Sequence, residues 1–179
     1  ASLVVTGLFA QGTKEQAVKS EKEIVILVKS MGNGFFDAVF KGSQEAAAEL
    51  GGIKTTYMGP PQATAEGQIE IIETLIAQRV DGIAISANDA DALIPVTKKA
   101  MAAGIKVISF DSGINVGGRI VDLLPSNAEL IGRQQIQLAA ELTGSKGDVA
   151  VLSASAQATN QNLWINWMKE EIKDAKYAN

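Results

Sequence analysis

Apolar and polar positions along this chain follow two rhythms. The segments Ile24–Val28, Ile53–Met58, Gly82–Ser86, Lys106–Phe110 and Ile120–Leu124 have strand length. The apolar run Ile24–Val28 is what a strand buried on both faces looks like. Between these segments the apolar spacing lengthens to the helical period. Phe36, Val39, Phe40, Ser43, Ala47 and Leu50 form one stripe. Ile69, Ile72 and Ile76 form a second, widened by Leu75, and a third helix is predicted from about Ala92 to Ala103. Pro95 fits that helix only near its first turn. Gly51-Gly52 and Gly104 supply the stops.

Strict alternation of strand and helix predicts an α/β fold, a doubly wound and mainly parallel sheet with helices on both faces. Pro125-Ser126-Asn127 reads as a crossing point. A helix over about Ala128–Leu142, a turn at Gly144–Gly147, a strand at Asp148–Leu152 and a helix from Asn162 toward Lys176 follow. One strand cannot make a sheet. Residues 23–125 therefore read as a nearly complete N-terminal lobe, and residues 126–179 as the truncated start of a C-terminal one. Ala1–Ala10 is apolar and precedes a polar stretch, Gln11–Lys22. Residues 1–22 are expected to be a signal-peptide remnant and linker, although a basic start and a good cleavage pattern are missing. The plainer reading is a stray strand or tail.

Composition narrows the chemistry. Among 179 residues there is neither His nor Cys, which removes the commonest general base, the commonest transition-metal ligand and any thiolate. The net charge of -4 and the lack of a Lys/Arg cluster give no footprint for nucleic acid. No calcium-loop spacing is visible, and neither a metal nor a cofactor is expected. Gly32-Asn33-Gly34 opens like a dinucleotide fingerprint, but Asp37 stands where the third glycine belongs. Gly144-Ser145-Lys146-Gly147 lacks the spacing of a phosphate loop.

Three polar clusters lie at or soon after strand ends: Lys29–Phe36, Asp111-Ser112-Gly113 and Thr159-Asn160-Gln161. In open α/β sheets, ligands bind outside the carboxyl ends of the strands. A cation, a carboxylate, amides (Asn33 among them) and paired aromatics suit a small, uncharged, hydroxyl-rich ligand. Each residue also has a plainer use. Phe36 continues the helical stripe and belongs to the core, whereas Phe35 lies off it and is free to meet a ring. Asp111 is either a turn residue or an acceptor for neighbouring hydroxyls. Lys29 is a solvated loop lysine or the partner of Asp111 across a crevice. Asn160 and Gln161 offer planar amides, or Asn160 or Asn162 caps a helix. Trp167 is expected in the core and Trp164 at the crevice rim.

Lys29–Phe36, Gly59-Pro60, Ala65–Ile69, Ile85–Asp89, Val107–Gly113 and Ala158–Trp164 together resemble the periplasmic sugar-binding receptors of ABC importers. The rhamnose-binding receptors and their relatives that bind the autoinducer-two signal look nearest. The resemblance covers about residues 23–179. It implies a type I periplasmic binding protein fold of two lobes closing on a ligand. It also implies that Lys29, Asp111, Asn160 and Gln161 line the site, with Phe35 and Phe36 beside the sugar ring. In the autoinducer-binding relatives the position of Asn160 looks to be Asp, so Asn points to the sugar branch. The implied protein is non-enzymatic, periplasmic and monomeric when intact. Its partners are a sugar and an inner-membrane permease, not nucleic acid. The rivals are an autoinducer-two receptor, the effector domain of a sugar-responsive regulator, and an enzyme on a similar sheet.

Overall fold

The computed structural model describes residues 21–177. The segment read as a signal remnant lies outside the described residues up to position 20. Five strands and five α-helices follow: β1 (Lys22–Leu27), α1 (Gly34–Leu50), β2 (Ile53–Met58), α2 (Ala65–Gln78), β3 (Gly82–Ile85), α3 (Ile94–Ala102), β4 (Lys106–Phe110), β5 (Asp122–Leu123), α4 (Ala128–Thr143) and α5 (Thr159–Glu171). A short 3-10 helix spans Ala175–Tyr177. β1 thus begins at Lys22, inside the segment assigned to the linker.

The strands form one parallel sheet in the order β2-β1-β3-β4-β5. Alternate residues on a strand face opposite sides, and the core divides accordingly. Val25, Leu27, Ile83, Ile85 and Val107 pack with Ile72 and Leu75 of α2 and with Val96 and Ala100 of α3. On the other face, Ile26, Val28, Ala84 and Phe110 pack with Phe36, Val39 and Phe40 of α1. The helices therefore cover both faces, as the alternation requires. Gly51 closes α1 at φ 69, a conformation glycine adopts without a Cβ penalty. Pro95 sits in the first turn of α3, where its missing N–H costs nothing.

Three expectations need correction. Residues 148–152 are not in a strand. A strand exists by pairing, and no described strand lies beside this segment, so Leu152 stays 98% exposed. The fifth strand shrinks to Asp122–Leu123, because Ile120 and Val121 approach β4 through irregular backbone bonds. The last α-helix starts three residues before Asn162 and stops at Glu171.

Candidate functional site

Strand order reverses between β1 and β3. Their carboxyl ends splay apart there and open the crevice in which such sheets bind ligands. Lys29 follows β1 at this point, and Asn88 follows β3. Asp111 follows β4 in a tight turn: its φ is 57, and Ser112 N donates to Phe110 O at 2.6 Å across it. Asp tolerates this left-handed backbone better than most residues. The carboxylate accepts from Ser86 Oγ at Oδ2, 2.7 Å away.

α5 brings the third cluster to the same place. Asn160 Nδ2 donates to Asp111 Oδ1 at 3.1 Å, and Asn160 Oδ1 accepts from Lys29 Nζ at 3.2 Å. The backbone N–H of Asn160 points to Ser112 Oγ at 3.4 Å. Lys29 Nζ and Asp111 Oδ2 are 4.0 Å apart, so the expected ion pair is loose and the Asn160 amide spans it. Both charged side chains are mostly buried, at 17% and 13% exposure. Burial pulls the Lys29 ammonium below its usual range, and the charge of Asp111 opposes that shift.

Lys29, Asp111 and Asn160 thus meet. Phe36 is buried in the α1 face of the sheet, edge-on to Phe110 at 6.3 Å. Phe35 is 47% exposed and packs edge-on against Phe36 at 5.2 Å, as its position off the stripe suggests. Asn33 caps α1, its Oδ1 accepting from Phe35 N at 3.0 Å, and so holds the aromatic pair at the helix start. Gln161 is turned elsewhere: its Oε1 accepts from Ser153 Oγ at 2.8 Å and from Ala154 N at 2.7 Å. Trp164 lines a recess of about 110 Å³ together with Asp111, Arg119, Asp122, Thr159 and Asn160. Trp167 is half-buried rather than in the core, with the Arg133 guanidinium 5.0 Å from its ring centre.

Sequence reasoning missed several residues that shape this place. Ser86 and Asn88 are buried polar groups, and Gln68 is buried completely. Gln68 had a visible signal, a polar residue four positions before Ile72 on the apolar stripe of α2. Thr159 Oγ1 is buried in the recess wall with no hydrogen-bond partner among the described residues. Buried hydroxyls are normally paired, so this one is suited to a ligand hydroxyl. No group of three or more acidic, His or Cys side chains suited to a metal exists among the described residues.

A family model described as periplasmic binding protein domain matches residues 24–179. The chain belongs to that family. Among solved structures, it is similar to a solute-binding protein from Clostridium phytofermentas with bound L-rhamnose. Identity is 40%, the TM-score is 0.83, and coverage is 88% of this chain and 49% of that one. It is also similar to LsrB from Clostridium saccharobutylicum in complex with AI-2, at 27% identity and a TM-score of 0.76, over 87% of this chain and 50% of that one. Among curated proteins, the D-ribose/D-allose-binding protein of Pseudomonas aeruginosa is 33% identical over 97 residues, 50% of this chain and 28% of that protein. The D-allose-binding periplasmic protein of Escherichia coli is 21% identical over 86% of this chain and 51% of its own length. The chain spans about half or less of the length of these relatives.

Proposed function

We propose that this chain is the ligand-capturing part of a periplasmic sugar receptor, which binds a deoxyhexose such as rhamnose and passes it to an inner-membrane ABC permease. The observation that carries this reading is the meeting of Lys29, Asp111 and Asn160 at the sheet's switch point. Together they offer fixed donors and acceptors but little net charge, which suits vicinal hydroxyls. The half-exposed Phe35 and the rim residue Trp164 supply apolar faces for the C–H side of a ring. Similarity to a protein holding L-rhamnose supports the choice of sugar.

The proposed ligand set is Lys29, Phe35, Asp111, Asn160 and Trp164, with Asn33 and Phe36 supporting Phe35 from behind and Gln161 joining by its amide nitrogen or on release of Ser153. Residues 23–125 and 126–179 are the proposed lobes, and the contacts of Lys29 and Asp111 with Asn160 support a ligand cleft between them. No bond is made or broken in this role, and no cofactor is needed. Relatives with binding-protein names support the first point.

The experiment is a calorimetric titration of the whole protein. L-rhamnose is expected to bind more tightly than D-galactose or D-ribose. Clear heat with ribose or galactose and none with rhamnose overturns the choice of sugar. A second reading, a receptor for the autoinducer-two signal, draws support from the similarity to the AI-2 complex. Asn160 argues against it, and the same titration with that signal decides.

A further inference from the structure

The last rung between β1 and β3 is Ser86 N donating to Leu27 O at 3.0 Å. Beyond it the two strands part to form the crevice. Two carbonyls are then left without ladder partners: Ser86 O at the end of β3, and Val28 O, which lies on the β2 side with Val28 N (bonded to Met58 O) and would meet Pro60, a residue with no N–H. Both are taken by one side chain. Gln68 Nε2 donates to Val28 O at 3.0 Å and to Ser86 O at 2.8 Å. Its Oε1 accepts from Asn88 N at 2.9 Å. A second amide continues the chain of bonds: Asn88 Nδ2 donates to Lys29 O at 2.9 Å and to Thr64 O at 3.0 Å.

Gln68 has no exposed surface and cannot touch a ligand. The backbone it holds is nevertheless that of the site. Val28 precedes Lys29 directly. Ser86 carries the hydroxyl that orients Asp111. The clamp's seat is also sterically set. A Cβ on Gly67 would come within 2.7 Å of Pro60 Cβ, so the first turn of α2 lies tight against the loop after β2.

We propose that Gln68 is a positioning residue for the sugar site: with Asn88 it locks the parted ends of β1 and β3, and so fixes Lys29 relative to Asp111. The clamp sets the spacing of the cation and the anion before any ligand arrives. This rests on the receptor reading above for its effect on affinity, but not for its effect on the backbone.

Two variants test it in the whole protein. Gln68→Met removes the amide at similar length. Gln68→Glu keeps the shape and loses both N–H donors when ionised. Each is expected to weaken L-rhamnose binding by at least about tenfold at temperatures well below melting, because a buried carbonyl left unpaired relaxes the strand end it belongs to. Unchanged affinity in a folded variant overturns the proposal. A double-mutant cycle separates positioning from general softening. Combined with Asp111→Asn, the Gln68 substitution should cost less than about threefold more, whereas full additivity means that Gln68 does not act through Asp111. Hydrogen exchange reads the clamp without any ligand. The Asn88 amide is expected to exchange at least about tenfold faster in Gln68→Met, and unchanged exchange refutes the clamp. If the unaltered protein binds no sugar, the receptor reading falls and the exchange result still decides the clamp. Gln68→Glu decides affinity and additivity where Gln68→Met does not fold; because a glutamate keeps the oxygen that accepts from Asn88 N, exchange is then read at Ser86 N, at the strand end whose carbonyl loses its donor, with no acceleration counting against the clamp.

Discussion

Asn160 donates to Asp111 across 3.1 Å, although 49 positions separate them in the chain. The other end of the same amide accepts from Lys29. One neutral side chain therefore uses its donor on the anion and its acceptor on the cation. An amide can do both, whereas a carboxylate only accepts and an ammonium only donates.

Asn160→Asp replaces that donor with a second carboxylate facing Asp111. Two like charges at this range repel, and Lys29 must serve both. The expected result is weaker sugar binding, not abolished, and a shift of preference toward the autoinducer-two signal. Parallel titrations with the two ligands check it, and a gain in sugar affinity would refute the mixed donor-acceptor role of Asn160.

Asp111→Asn keeps a residue that tolerates the left-handed backbone while removing the charge. Loss of charged hydrogen bonds of about 1.5–3 kcal/mol implies at least about a tenfold loss of sugar affinity. Melting should change little. A large fall in melting temperature with intact affinity would instead make Asp111 a turn residue.

The same variant has a second readout. Burial lowers the Lys29 pKa, and Asp111 works against that shift. Removing the anion leaves burial unopposed, so the Lys29 ammonium should lose its proton at lower pH in Asp111→Asn than in the unaltered protein. An NMR titration of the Lys29 side chain measures this, and an upward shift would show that the two groups do not sense each other.

Glu171 receives Lys176 Nζ, Gln137 Nε2, Arg133 Nη1 and Tyr177 Oη at 2.9–3.1 Å. These bonds, that from Lys176 foremost, hold its carboxyl at about 2, against an ordinary 4.5. A carboxyl whose pKa is lowered by folding stabilises the fold above its unfolded value, and that contribution is lost as pH falls. The docking of α5 on α4 should weaken between about pH 4.5 and 2. Glu171→Gln should flatten that part of an acid-unfolding curve. Superimposable curves would count against it.

Gly132 lets α4 and α5 approach closely. A Cβ there would fall 2.5 Å from Trp167 Cβ and closer still to the Trp164 carbonyl. Gly132→Ala should therefore destabilise the helix pair despite its better helix propensity, by about 1–3 kcal/mol as overpacking does. Denaturant titration measures the change, and a stabilised variant would show that the helices separate freely.

The local rhythm of the chain is a good guide to four of the five strands: β1, β3 and β4 lie inside the sheet and are apolar, while β2, an edge strand with Lys54, Thr55 and Thr56, is marked by the glycine and proline turns on either side. It also separates Phe36 from Phe35. It misleads at residues 148–152, where Val149, Val151 and Leu152 have strand composition but no neighbour to pair with. Pairing is a long-range event that composition does not contain. Two of the three polar clusters follow β1 and β4, whereas the third, expected after a strand at 148–152, stands instead at the start of α5. Gln68 and Asn88 stayed hidden because their partners are main-chain carbonyls and an N–H, which no sequence distinguishes.

The backbone of Asp111, at φ 57, narrows the alphabet at that position. Glycine, asparagine and aspartate enter this conformation at low cost, while β-branched and bulky residues do not. A saturation library at position 111 would return few well-behaved members. Change in the proposed cleft would have to proceed through Asn160 and the aromatic residues at its mouth, with Asp111 kept as the fixed point.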